Sequence, residues 1–345
     1  MLGVGTVSTR IHVGLENHRV APGLGAFHKA TIRLLLSALL GLMSGTYHPA
    51  ASALLADIVP NEQRVRAYAA FRLAANAGFA CGASVGGLLA NYSLFWLFTG
   101  DALTTVLYGF IALAWLPHGL RAQTKNAPWS EAITFIKRDR SFHALWAAAF
   151  CSALVFAQFG TTYSLHIIRE KLTLDVLGFH LGPETIYGLL IAWNGVLVML
   201  AELPLTVLTL RYDERRVMAL GYVLIGVGFG LNAWAHHIPA LLVAMTIFTV
   251  GEMISAPTTS AYVARLAPER LRGRYMGTLA LAWNGAAMAG PHFGFGLFAL
   301  DPRFLWFGCA ALGLAAAAIT LFFDQSKLAG EKPPAPVAEP ESALV

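Results

Sequence analysis

The stretch Pro60–Gly87 (PNEQRVRAYAAFRLAANAGFACGASVGG) returns 208 residues later as Pro268–Phe295 (PERLRGRYMGTLALAWNGAAMAGPHFGF). No gap is needed: Pro60 falls on Pro268, Arg64 on Arg272, Arg66 on Arg274, Leu73 on Leu281 and Asn76 on Asn284, and Gly82 and Gly86 fall on Gly290 and Gly294. The register holds outward to Pro49 on Pro257 and Gly100 on Gly308. Arg, Asn and Pro carry the match, and these are the residues that a chain rich in Ala, Gly and Leu does not align by accident. A fixed offset of this kind means two copies of one structural unit in the same order.

Composition says what that unit is made of. Hydrophobic residues are 57% of the chain and charged residues 12%, far from the balance of a soluble domain. Several apolar runs exceed the ~20 residues that cross ~30 Å of hydrocarbon. The expected class is an all-α polytopic membrane protein, in contact with lipid over much of its surface. Spans are expected at Ile32–Ile58, Tyr68–Ala90, Leu94–Leu116, Ala144–Ile168, Ile186–Leu210, Val217–Ala235, Ala240–Ala264, Tyr275–Leu300 and Phe304–Phe323. Between the third and fourth, Pro117–His143 holds a short amphipathic run in which Trp129, Ala132, Ile133 and Ile136 share a helical face ahead of Lys137, Arg138 and Arg140. Such a helix lies on a membrane surface. Residues 1–30 hold no spanning run and read as a non-membrane leader. The Pro-, Ala- and Glu-rich tail from Gln325 reads as disordered. Cys81, Cys151 and Cys309 stand singly in apolar runs, as small packing residues do.

The loops set the orientation. Arg64 and Arg66, Arg121 through Arg140, Arg211 through Arg216 and Arg265 through Arg274 fall on one side; Arg169, Lys171 and Arg303 are the basic residues between spans on the other. The first side is the cytoplasmic one by the positive-inside rule. The chain is therefore expected in the inner or plasma membrane, multi-pass, with its C-terminus in the cytoplasm. The repeat also sets a count. The second copy of the key stretch stands after four spans that follow the central loop, the first copy after one, so each full half is expected to have six spans, with the first three absent from the first half. The division expected is 1–30 leader, 31–116 remainder of the first bundle, 117–143 central loop, 144–324 second bundle and 325–345 tail.

Two parallel six-span halves joined by a basic loop are a transporter architecture. The segments GLMSGTYHPAASALLADIVPNEQR (Gly41–Arg64), RLAANAGFACGASVGG (Arg72–Gly87) and GEMISAPTTSAYVARLAPERLRGRYMG (Gly251–Gly277) resemble the major facilitator superfamily, and within it the twelve-span drug:proton antiporter-like members, over Ile32–Phe323. The resemblance implies alternating access of two bundles around a central cavity. Three positions depart from the pattern. Ser37 stands where that family's fourth helix usually has an Arg, and Ala83 replaces the Pro of the antiporter-type G-P-x-x-G-G element, which Gly290–Pro291 keeps. RYDERR (Arg211–Arg216) is a degenerate version of the cytoplasmic loop signature.

Charged residues inside spans are costly and mark function by default. Glu252, halfway along its span with Ser255 and Thr259 following, is the sharpest candidate for proton coupling, against a neutral Glu bonded between helices. Glu202, just before Leu203–Pro204, suits an ion pair with a nearby loop Arg. Arg72 either snorkels to the cytoplasmic face or serves transport, and Asp101 either pairs with it or does not. Asn76, Gln158, Trp193, Asn194, Trp283 and Asn284 are candidate cavity walls. Equivalent Asn76 and Asn284 also fit a structural inter-helix hydrogen bond in each half, and Trp193–Asn194 with Trp283–Asn284 fit either a shared pocket or packing. Gly78, Gly82 and Gly86, with Gly290, Pro291 and Gly294 in the second half, form ridges for close helix approach, as packing or as a surface over which helices rock. His48 and His166 are titrators in principle, more often packing residues in a span.

No Gly-Lys-Ser/Thr phosphate loop appears, so ATP is not an expected energy source. No metal-ligand spacing and no soluble-enzyme constellation appears, and no nucleic acid, cofactor or metal is expected. The function expected is proton-coupled efflux of a small molecule, with the substrate, protons and lipid as partners and a monomer as the assembly. The alternatives are uptake by symport and, from another class, a nine-span remnant that transports nothing. In a cysteine-free background, a cysteine at Arg216 should react with an impermeant maleimide only from the cytoplasmic side and one at Lys171 only from outside; the reverse pattern would invert the topology.

Overall fold

Asp139 and Asp213 show how the chain punctuates its helices. Each side chain accepts a hydrogen bond from the backbone N–H three residues on, Phe142 and Arg216, both at 3.1 Å, closing the open start of a transmembrane helix. Pro183, Pro239 and Pro302 stand in first turns, where a missing N–H costs nothing.

The structure is a computed structural model that describes residues 48–115, 129–176 and 179–322. The leader, Ser37, residues 116–128 of the central segment and the tail from Gln325 lie outside the described residues. Helix α1 covers 48–58, and after a one-turn 3-10 helix come α2 (Arg64–Tyr92) and α3 (Leu94–Trp115). The short α4 (Trp129–Arg138) precedes α5 (Arg140–Phe159) and α6 (Thr162–Arg169). Strands β1 (Leu174–Val176) and β2 (Phe179–Leu181) pair antiparallel, Leu174 opposite Leu181. Then follow α7 (Pro183–Thr209), α8 (Glu214–Gly230), α9 (Ile238–Leu266), α10 (Arg272–Leu300) and α11 (Pro302–Phe322).

Among the described residues, α5, α7, α8 with its following turn, α9 and α11 are long and apolar enough to cross a membrane. At 1.5 Å per residue, the 29-residue α2 and α10 and the 22-residue α3 match them in length. The fold is the all-α bundle expected. The expected span Ala144–Ile168 is corrected: it breaks at Gly160–Thr161 into α5 and α6. The hairpin after α6 carries no strong period in the sequence. Lys171, in the left-handed region at φ 51°, reverses the chain into it.

The second half packs around α8, which lies along both α9 and α11. A Cβ on Gly226 would stand 2.8 Å from Gly313 Cα and 3.1 Å from the Ala310 carbonyl oxygen, so the backbones of α8 and α11 touch where a side chain would hold them apart. Lipid tails give no hydrophobic drive for association, and such contacts supply dispersion instead. Aromatic rings fill the centre: Phe248 on α9 lies 4.8 Å from Phe229 on α8 and 5.7 Å from Phe159 on α5.

The two glycine ridges differ. A Cβ on Gly290 or Gly294 would run into Ala157 or Gln158 of α5, whereas one on Gly78 or Gly82 would meet nothing within 4 Å among the described residues. Close packing expected at both ridges is therefore seen at the second, Pro291 lying inside it in α10; Gly86 lies in α2, and its surroundings are not described.

The variant Gly226→Ala should lose about 1–3 kcal/mol through overpacking, read as a lower melting temperature in detergent. Gly277→Ala, with open space around its Cβ, should be neutral or slightly stabilising.

Candidate functional site: a shared guanidinium between the halves

Arg72 stands eight residues into α2, and its side chain turns inward rather than along the helix toward the basic face. Its Nε donates to Glu202 Oε1 of α7 at 2.8 Å, and Nη2 donates to Glu202 Oε2 at 3.3 Å and to Glu252 Oε1 of α9 at 3.0 Å. One guanidinium thus holds two carboxylates from two helices of the other half. The planar fork of arginine suits this double role, which an ammonium would fill as a single point. Glu202 is 0% exposed and Glu252 7%.

Glu252 is held on its second oxygen too. Asn194 Nδ2 donates to Glu252 Oε2 at 3.2 Å and to Thr249 Oγ1 at 2.9 Å, and the Thr249 hydroxyl donates to the Met245 carbonyl at 2.7 Å. Two carboxyl groups thus share one guanidinium, which can match the charge of only one of them, at a place where an unpaired charge is expensive. Glu252 lies 14 residues from each end of α9, about 21 Å along the axis.

Several expectations are corrected. Arg72 does not snorkel, and the partner of Glu202 is this intramembrane arginine and not a loop residue. Asp101 is exposed on α3 and takes no part in the network. Ser255 and Thr259 turn from Glu252 toward α8, Ser255 donating to the Gly251 carbonyl at 2.7 Å and Thr259 meeting the Tyr222 hydroxyl at 2.8 Å. Ser255 is rotated about 60° from Glu252, and Thr259, although nearly in line with it, stands two turns farther along the axis, so each meets α8 instead.

The cavity candidates part company in the same way. Gln158 is fully buried, donating to the Leu154 and Gly290 carbonyls at 2.9 and 3.1 Å and accepting from Thr162 at 2.9 Å; it joins α5 to α10. Trp193 donates from Nε1 to Thr246 Oγ1 at 2.9 Å, whereas the ring of Trp283 meets Phe156 edge-on at 5.6 Å. The two tryptophans are therefore seated against different helices. Asn76 is half-buried and Asn284 exposed, and neither has a hydrogen-bond partner among the described residues, so the expected structural bond in each half is not formed. His166 is buried against Trp306 at 5.1 Å, and His48 meets Phe71 edge-on at 6.4 Å.

Two participants were not anticipated. Thr249, three residues before Glu252 on the same face, was legible from its spacing. Asp57 binds Arg272 Nη1 across the halves at the basic face. Arg64 donates to the Ala56 carbonyl at 2.7 Å and Arg272 to the Ala264 carbonyl at 3.0 Å, which are equivalent bonds under the 208-residue offset. Asp57, however, falls on Arg265, which pairs with Glu214 of its own half. The repeat signals the arginines and hides the acid.

A bundle of membrane-length helices joined by a buried charge network between two repeats is an integral membrane protein of the transporter type. The Major Facilitator Superfamily profile matches residues 20–182 and 171–344, and the chain belongs to that superfamily. It is 28% identical over 317 residues to the uncharacterized MFS-type transporter YttB of Bacillus subtilis, covering 88% of this chain and 75% of that protein. It is 26% identical to a Na(+), Li(+), K(+)/H(+) antiporter of Planococcus maritimus (78% and 66% covered) and to the multidrug resistance protein MdtH of Yersinia pestis (73% and 61% covered). The chain thus spans between 61% and 75% of the length of these relatives. The human organic anion transporter MFSD10 shares the fold at a TM-score of 0.60 and 16% identity, over 87% of this chain and 72% of that one. The E. coli fucose:proton symporter FucP does so at 0.58 and 16%, over 80% and 72%.

Removing the cation alone should strand two buried carboxylates. Arg72→Met is expected to cost about 3–5 kcal/mol, and Arg72→Met combined with Glu202→Gln and Glu252→Gln should recover most of the lost melting temperature. A triple variant no more stable than the single one would mean that the three side chains do not act as one network.

Proposed function

We propose that the chain carries the coupling machinery of a secondary active transporter that exports a small amphipathic molecule against proton entry. The observation that supports this reading is the Arg72 guanidinium shared by Glu202 and Glu252 across the two halves. Moving α2 away from α7 and α9 would leave buried charges unpaired, which opposes the opening. A proton on the excess carboxylate removes one charge and leaves Arg72 matched to the other, so protonation lowers the cost of rearrangement and ties it to the proton gradient. Glu252 is the proton acceptor in this scheme and Arg72–Glu202 the pair that remains. Half-exposed Trp193 and Trp283 with Asn76 and Asn284 offer amphipathic surface to a substrate. The names of two relatives, a cation/proton antiporter and a multidrug resistance protein, agree with export coupled to an ion gradient.

The test is dye movement in proteoliposomes under an imposed pH gradient. Wild-type protein should move dye against proton flow, and Glu252→Gln should lose most of the response to the gradient while still binding dye. Dye moving with the protons makes the protein a symporter, and gradient-driven efflux unchanged in Glu252→Gln overturns the role of that residue. No gradient-dependent movement at all would favour the remnant without transport.

A further inference from the structure

We propose that α4 and the first residue of α5 form a docking surface for the phosphate headgroups of anionic phospholipids, with Lys137, Arg138 and Arg140 as ligands and Ile133 as the apolar anchor. Part of α4 is committed to the protein. Ile136 packs on the core, Glu131 pairs with Arg270 at 2.6 Å, and the Arg270 guanidinium lies 5.5 Å above the Phe135 ring. The neighbouring positions are open. Ile133 is 49% exposed, and Lys137, Arg138 and Arg140 are all exposed with no carboxylate partner among the described residues.

Both acids of the segment are already engaged, Glu131 by Arg270 and Asp139 by the Tyr275 hydroxyl at 2.9 Å and the N–H of Phe142. Three exposed cations within four residues thus have no carboxylate among the described residues to offset them, and an anion from outside the protein can meet that charge. The position selects a lipid. The apolar span of α5 begins at Arg140, with Asp139 alone between it and the end of α4 at Arg138, so this surface stands at the boundary of hydrocarbon and water. There an apolar side chain such as Ile133 enters the acyl region while long basic side chains reach the headgroups. Each such cation adds attraction to an anionic leaflet.

The surface is also mechanically connected. Arg270, which grips α4 through both Glu131 and Phe135, sits in the turn that joins α9 to α10, and α9 carries Glu252. Headgroup binding on α4 therefore bears on the basic-face end of the helix at the centre of the charge network. The proposal itself needs only membrane insertion and stands apart from the transport reading.

The experiment is native mass spectrometry of the full chain released from micelles containing equal phosphatidylglycerol and phosphatidylcholine, with inorganic phosphate as a soluble competitor. Wild type should retain phosphatidylglycerol in excess, and Lys137→Gln, Arg138→Gln and Arg140→Gln should each lower that excess by up to about fivefold. The charge-preserving set Lys137→Arg, Arg138→Lys and Arg140→Lys should keep it at an unchanged melting temperature. Phosphate should not displace the lipid, because it lacks the acyl chains that Ile133 meets. Equal retention of both lipids by wild type, neutral variants that retain phosphatidylglycerol as wild type does, or full displacement by phosphate would each overturn the proposal.

Discussion

The guanidinium of Arg72 is where the two repeats are tied at depth, and its energetics constrain much of the architecture around it. A charge in a low-dielectric interior is tolerated only when paired and bonded. Arg72 reaches Glu202 and Glu252 only if α2 lies beside α7 and α9 together, and both packings are present. Glu252 in turn holds Asn194, so the facing surfaces of α7 and α9 are set by the same carboxylate.

Around that network, the second half is stiffened by backbone contact. Gly221 against Gly251 and Gly226 against Gly313 bring α8 close to α9 and α11, and Gln158 bonds α5 to the Gly290 carbonyl. Tight, glycine-mediated contacts favour movement as a body over local deformation, because a packed surface has few ways to yield. The basic face adds a second set of ties: Arg64 and Arg272 make the same carbonyl bond in each repeat, and Arg272 also reaches Asp57 in the other half. The halves are therefore joined at two depths, once by an intramembrane cation and once near the membrane surface.

Related sequences in the two repeats do not meet related surroundings. Gly82 and Gly290 are equivalent in the chain, yet a side chain at the first would find open space and at the second Ala157. Asn76 and Asn284 are equivalent and neither is bonded to another described residue, while Asp57 and Arg265, equivalent by register, carry opposite charges and serve different partners. A repeat preserves local geometry, and the neighbours of each copy decide what that geometry is used for.

The sequence by itself determined the class, the repeat and the run of helices, and it singled out Arg72, Glu202 and Glu252 as charges inside spans. Hydrocarbon forces long apolar runs into helices and makes every charge inside them conspicuous, so these features are legible one residue at a time. Even Asp139 and Asp213 announce their helix starts through local bonds. The tertiary structure alone decided that Arg72 turns inward to two carboxylates, that Gln158 and Ser255 are packing residues, that Asp101 stands apart, and that Asp57 crosses to Arg272. Those choices depend on how each helix is rotated and which neighbour it meets. Contacts between residues far apart in the chain, several of them more than a hundred positions, set that rotation, and no period or spacing along the chain encodes it.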